Sequence, residues 1–440
     1  MINWVRRQFG KGPAVLSMQR LGGQTLVALG LKVCNAVASF ALSLLIARSF
    51  GADGTGRFGV AVTTMTLISY VVICGMNNTV IRNVAGDLRE NSPGKARGTV
   101  RLAATSVVVA FGLLAIIFLG ARETLMKVAF GSIDASAELY IMLLAVLPLA
   151  LQRIASSALR ASGNVFVSQV IDGPLGTTVT AVGMLAFVVF GTARSLVTPA
   201  ILYLAGLIIA CGCGWFFYRR IARHWPAPIR PALSPFIIAG VPVLVADISN
   251  IFTEWYTIVS LGNLWPTAIV GQYRAAWQFV ALASMVQVAM LSILGPRIAG
   301  AARVGNLADI AAAARKTFVL MLVLLTPLFL VMLVLAEELL GLFGPEFVAG
   351  APALRILVIG QFFRTLGSPF GSILVMTGNQ RWILAYAFLG IIPCVALVAI
   401  LVPGMGAEGA AWATSATALV RVVSAALIVN SVLKIKVFKR

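Results

Sequence analysis

Apolar residues in this chain gather into long runs, and polar residues collect in the short stretches between them. A helix needs about 20 apolar residues to cross the hydrocarbon core of a bilayer. On that criterion the pattern predicts spans 1 to 12 near residues 25–48, 58–80, 100–121, 137–158, 166–190, 196–218, 236–261, 267–294, 317–341, 352–376, 383–402 and 410–433. The longest polar stretches, Gly86–Val100, Arg219–Ser234 and Arg297–Lys316, are too short to bury a core of their own. Pro148, Pro174, Pro242, Pro327, Pro369 and Pro393 fall inside spans. Membrane helices tolerate proline where neighbours satisfy the freed carbonyls, and such kinks are candidate hinges.

Polar residues inside these spans are not scattered. Span 7 carries Asp247, Asn250, Glu254 and Thr257, at spacings of three, four and three that place them on one helix face. Span 1 carries Lys32, Asn35, Ser39 and Ser43, also on one face. Span 8 adds Arg274 and Gln278, span 10 adds Gln361, Arg364 and Ser368, and span 5 adds Asp172 before Gly173-Pro174. A charge at bilayer depth costs about 2.5–3.5 kcal/mol on insertion scales, so such residues face a cavity or pair with one another. Taken jointly, the faces of spans 1 and 7 are read as cavity lining. Arg421 in span 12 has no polar face around it on its own helix and is read as structural or snorkelling.

Composition agrees with the spans. Of 440 residues 60% are apolar and 11% are charged, with mean hydropathy +0.97, whereas a soluble domain is about 25% charged. The net charge of +20 would suggest nucleic acid in a soluble protein. Here most of the 34 Lys and Arg fall on one side of the predicted membrane, which reads as cytoplasmic and puts both termini there. The other side holds only Arg48, Arg57, Arg122, Lys127, Arg194 and Arg355. Arg153 and Arg160, toward the end of span 4, are counted with the cytoplasmic charges. Residues 1–23 are basic, lack a signal-peptide core, and with Trp4, Val5 and Phe9 suggest a short interfacial helix.

Little in the chain points to catalysis. Cys34, Cys74, Cys211, Cys213 and Cys394 all lie in apolar runs, and His224 is the one histidine. That set argues against disulfides, a metal site and Ser-His chemistry. The glycine-rich Gly51–Gly56 lacks the GxxxxGK[ST] pattern of a phosphate loop. No enzyme constellation and no cofactor motif is found.

Sliding the chain by 215 residues aligns its halves. Gly56-Arg57-Phe58 falls on Gly271-Gln272-Tyr273, Arg82 on Arg297, Gly163-Asn164 on Gly378-Asn379, Gly191 on Gly406 and Asn35 on Asn250. Lys32 falls on Asp247 and Ser39 on Glu254, so the polar faces of spans 1 and 7 correspond. Six spans per half is an even number, so both halves enter the membrane in the same sense. The expectation is an all-α polytopic membrane protein of two six-helix lobes, related by a pseudo-two-fold axis along the membrane normal, with a cavity between them. The predicted divisions are a cytoplasmic N-terminus 1–23, an N-lobe 24–218, a proline-rich cytoplasmic linker 219–235, a C-lobe 236–433 and a basic tail 434–440.

Four stretches carry a resemblance. They are Leu44-Leu45-Ile46-Ala47-Arg48-Ser49-Phe50-Gly51 with Gly54-Thr55-Gly56-Arg57-Phe58-Gly59; Leu340-Gly341-Leu342-Phe343-Gly344-Pro345-Glu346-Phe347 with Ala351-Pro352-Ala353-Leu354-Arg355-Ile356-Leu357; Met376-Thr377-Gly378-Asn379; and Gly406-Ala407-Glu408-Gly409-Ala410-Ala411-Trp412-Ala413-Thr414. Together they resemble the bacterial polysaccharide-transport family, flippases of lipid-linked O-antigen and exopolysaccharide repeat units. That family shares a superfamily with multidrug and toxin extrusion transporters and lipid II flippases. The resemblance runs from about residue 20 to 435, and its motifs mark helix ends and tight loops, so they speak to fold before substrate. It implies lobes that alternate between inward- and outward-open states in the bacterial inner membrane. The implied cargo is an oligosaccharide on undecaprenyl diphosphate, and polysaccharide polymerase and chain-length proteins are candidate partners. Lys32, Arg274 and Arg364 are the candidate cations for a diphosphate. Asp247, Glu254 and Asp172 are candidates for a coupling proton or sodium ion; Asp247 and Glu254 could equally pair with the cations or bind sugar hydroxyls. A cation-coupled multidrug exporter is the alternative reading.

Overall fold

A computed structural model describes residues 18–120, 137–191, 195–229, 233–303, 307–376 and 380–432. Helices Met18–Ile73, Pro93–Gly120, Ala137–Ala161, Val197–Ala222, Leu233–Leu264, Thr267–Arg303, Leu307–Val334, Ala351–Met376 and Gln380–Leu427 dominate it. A buried backbone in lipid must satisfy its own hydrogen bonds, which is why apolar runs of this length fold as helix.

Two of these helices are each two spans. Met18–Ile73 breaks at Gly51 (φ 67°) and Gln380–Leu427 breaks at Gly406 (φ 55°), left-handed conformations that glycine adopts without strain. Gly406 also packs under the ring of Trp265, whose indole N–H donates to the Val402 carbonyl at 2.9 Å. Span 5 is a bent pair, Val165–Asp172 and Pro174–Val189, turning by 40° at Gly173. Counted this way, the described residues form twelve helices of membrane-spanning length.

Some boundaries move from those predicted. Span 2 ends at Ile73, and after Cys74 and Gly75, both left-handed, the chain forms a separate helix, Met76–Arg89. Span 9 begins at Leu307, ahead of the predicted 317, and the short helix Ala336–Gly341 follows it. In each case a polar or amphipathic stretch is helical too, so hydropathy alone misplaces the boundary. Span 6 runs on to Ala222, and the segment after it is tied to span 3: Ile229 N–H donates to the Gly94 carbonyl at 3.0 Å, and Arg97 to the Trp225 carbonyl at 3.1 Å. The predicted interfacial helix at the N-terminus, Gly378-Asn379 and the tail 434–440 lie wholly or largely outside the described residues.

Spans 1 to 6 pack on one another, spans 7 to 12 likewise, and spans 1 and 2 meet spans 7 and 8 across the middle. That junction obeys the repeat. A β-carbon on Gly56 would overlap the Thr267 carbonyl, and one on Gly271 would overlap the Ala52 carbonyl. Residues 56 and 271, and 52 and 267, are both 215 apart. Phe40 and Phe279 rings meet edge to face at 5.3 Å, while the Trp255 indole donates to Thr64 Oγ1 at 3.0 Å. Residues 40 and 255, and 64 and 279, are again 215 apart. Gly59 faces Arg274, its own counterpart. Reciprocal contacts of this kind are the mark of a two-fold axis, which here passes between spans 2 and 8.

The same end of the molecule is held shut by polar contacts. Arg48 Nε donates to the Leu342 carbonyl at 3.1 Å, Gln272 Nε2 to the Glu346 carbonyl at 2.8 Å, and Thr267 Oγ1 to Asp53. Phe40, Phe279 and Phe343 meet edge to face beside these contacts, with Phe347 tilted against Phe343. On the charge pattern of the sequence, this crossing end is the one expected to face outward.

Candidate functional site

The polar residues of the spans are drawn into a few specific partnerships. In the first half, Asn35 Oδ1 on span 1 accepts from Thr177 Oγ1 on span 5 at 2.9 Å. Asp172, at the break in span 5, pairs with Arg160 at 3.3 Å. Lys32 is exposed on span 1, and among the described residues it has no hydrogen-bond or ion-pair partner. Ser39 and Gln278 are half-buried and make no side-chain hydrogen bond among the described residues.

In the second half, Glu254 Oε1 accepts from Arg274 Nη1 at 3.1 Å, between spans 7 and 8. The stem of Arg274 lies against Gly59, where a β-carbon would stand 3.0 Å from its Cγ and Nε. Gln361 is buried: its amide donates to Thr365 Oγ1 at 3.3 Å and Gln287 Oε1 at 3.4 Å, linking spans 10 and 8. Asn250 Oδ1 accepts from Arg421, which also donates to Ser249 Oγ at 2.7 Å and to the Ser249 carbonyl at 3.4 Å. Asp247 stands on the span 7 helix, with its side chain outside the described set.

The sequence reading therefore placed Arg421 incompletely. Its partners lie on span 7, so it forms part of the surroundings of that helix's polar face. Its guanidinium sits 5.6 Å from the Tyr386 ring on span 11, in space left by Gly390, where any β-carbon would collide with it. No signal on its own helix reveals this, because every partner comes from another span. Arg153 needs a similar correction. It lies in the body of span 4 with its guanidinium 4.2 Å above the Tyr70 ring, and its Nη1 reaches Ser69 Oγ at 3.4 Å. A cation over an aromatic face is stabilised where water is scarce.

These groups form an electrostatic sequence across the junction. Tyr203 on span 6 feels both Arg153 and Arg274. Arg364 on span 10 feels Glu254 and Tyr386, and Arg421 feels Arg364. Four intramembrane guanidiniums, from Arg153, Arg274, Arg364 and Arg421, thus act on one another or on shared neighbours, and among the described residues Glu254 is the one carboxylate paired with any of them. The arrangement suits an anion better than a cation. Among the described residues no three His, Cys, Asp or Glu side chains gather as a metal site would require.

Comparison with known proteins agrees with this architecture. Residues 242–401, from span 7 into span 11, match the MatE family. The probable low-salt glycan biosynthesis flippase Agl15 of Haloferax volcanii is 25% identical over 236 residues, 53% of this chain and 49% of that protein. The match thus spans about half of that relative's length. The inward-facing structure of a multidrug resistance MATE transporter of the MOP superfamily superposes with a TM-score of 0.78 at 13% identity, covering 93% of this chain and 99% of the other. The lipid II flippase MurJ, in an inward closed conformation, gives 0.76 at 13% identity, covering 92% and 88%. A match to the MatE family thus covers residues 242–401, and the chain has the two-lobed, twelve-helix fold of the multidrug transporter and of MurJ.

Proposed function

We propose that this protein is a flippase. It moves undecaprenyl-diphosphate-linked oligosaccharide repeat units from the inner to the outer leaflet of a bacterial cytoplasmic membrane, for O-antigen or exopolysaccharide synthesis, by alternating access. The observation that carries the reading is the set of intramembrane guanidiniums, Arg153, Arg274, Arg364 and Arg421, with Glu254 as the one described carboxylate paired among them. A diphosphate–sugar head group is large, polar and anionic, and guanidinium–phosphate hydrogen bonds are among the strong ones. The closed crossing end fits a state open toward the cytoplasm, the leaflet where such a cargo would be loaded. The name of the Haloferax relative supports a glycan cargo, and the MurJ likeness supports a fold able to carry a lipid-linked head group.

Coupling to a proton or sodium ion belongs to the same proposal. Glu254 and Asp172 each hold an arginine in this state, so taking up an ion at either requires that arginine to leave. The likeness to a multidrug transporter favours a second reading, cation-coupled drug export.

One experiment separates the two. Lipid-linked oligosaccharides are extracted from a deletion strain and weighed by mass spectrometry, and sealed membranes are labelled with leaflet-specific glycan reagents. Accumulation facing the cytoplasm is the expected outcome. Its absence, together with new drug sensitivity in the deletion strain, would replace the flippase by the drug exporter.

A further inference from the structure

Among the described residues, pairing the intramembrane charges leaves two cations over, Lys32 in the first half and Arg364 in the second. Arg274 is neutralised by Glu254 at 3.1 Å. Arg153 is seated on Tyr70 and reaches Ser69. Arg421 is held by Ser249 and Asn250, so it is fixed in place while keeping its charge. Arg364 makes no hydrogen bond or ion pair among the described residues, although Gln361 and Thr365 on the same helix are both engaged, and its side chain is exposed. An exposed, unpaired guanidinium inside a span, next to a second one of fixed position, is unfavourable unless something anionic joins it.

We propose that Arg364 is the phosphate-contacting residue of the second half, with Arg421 as a fixed positive charge behind it and the Tyr386 hydroxyl beside it. Arg274 plays no such part while Glu254 holds it. The proposal rests on the flippase reading and narrows it. Of the second half's described intramembrane arginines, Arg364 is the one whose donors make no hydrogen bond, so it can grip two phosphate oxygens side by side, as a planar guanidinium does. Arg421 adds attraction without contact, because its terminal nitrogens are already committed to span 7. The ligand class is a diphosphate ester on a lipid, and the same chemistry could be met by free pyrophosphate.

The test uses the full-length protein in lipid nanodiscs, titrated by calorimetry with farnesyl diphosphate, farnesyl monophosphate and inorganic pyrophosphate. Arg364→Gln is expected to weaken farnesyl diphosphate binding by about tenfold or more, the loss of one charge-assisted pair. Arg364→Lys should recover part of it, and Arg274→Gln should weaken it less than Arg364→Gln does. A thermal melt of each variant shows that it is folded. The reverse ranking, with Arg274→Gln abolishing binding and Arg364→Gln neutral, overturns the proposal. Binding of pyrophosphate as tight as that of farnesyl diphosphate also overturns it, since the site would then belong to a free anion. Cytoplasmic-facing accumulation in the deletion strain with no effect of Arg364→Gln would sink this subsite and leave the flippase standing. Loss of both would sink the two together.

Discussion

At the residue scale, the electrostatics are decided by who is buried. Arg57 Nη2 meets Glu138 Oε1 at 2.7 Å, with the arginine side chain 39% exposed and the glutamate 3%. Removing the arginine strands a buried carboxylate, whereas neutralising the glutamate leaves an arginine that water can still reach. Arg57→Ala should therefore destabilise by about 3 kcal/mol, and Glu138→Gln by about 1 kcal/mol. The double variant should lie close to Glu138→Gln alone, which melting in detergent will show. Equal costs for the two single changes would mean that Glu138 is solvated. Partnerships like this are invisible in sequence. The spacing of Asp247, Asn250 and Glu254 predicted a polar face on span 7, but not that Glu254 takes Arg274 or that Asn250 takes Arg421. Those partners lie 20 and 171 residues away, and the choice depends on packing. Gly390 illustrates the point: an ordinary glycine in an apolar run, it is the space in which Arg421 lies. Gly390→Ala should displace that guanidinium and lower stability by about 1–3 kcal/mol, with Asn250 losing its donor.

At the element scale, the apolar runs located all twelve crossings because hydropathy and hydrogen-bond satisfaction demand the same thing in lipid. The breaks were less legible. Gly51 and Gly406 fall in the gaps predicted between spans 1 and 2 and between spans 11 and 12, but nothing there shows that the helix runs on through a single left-handed glycine, and the helix Met76–Arg89 is too polar for a hydropathy window to register. Both glycine kinks need positive φ, and a residue with a β-carbon pays about 1–2 kcal/mol there. Gly406→Ala should cost about that much, and its melting temperature should fall more than that of Gly404→Ala, a neighbour with open space around it. The crossing of spans 2 and 8 is tighter still. Small residues let helix backbones approach in membranes, where there is no hydrophobic drive to bring them together. Gly271→Leu should wedge the crossing apart. With single cysteines at Asp53 and Thr267 in a cysteine-free background, oxidative cross-linking should be fast in the parent and strongly slowed in this variant. An unchanged rate would show that the crossing can shift to accommodate the side chain.

At the scale of the whole molecule, the two halves were readable because the 215-residue offset needs no gap over its landmarks. The structure gives that offset a spatial meaning through the exchanged contacts of Gly56 with Thr267 and Gly271 with Ala52. A surface that recognises its own likeness is what a pair of identical subunits has, so the junction is built like the interface of a dimer of six-helix chains. The halves are unequal at the axis itself, where glycine stands at 59 and arginine at 274. Such an interface does not need the covalent thread between its sides. Residues 1–230 and 231–440, expressed as two chains, should insert separately, find each other and co-purify, while a second copy of either half should compete poorly for the same place.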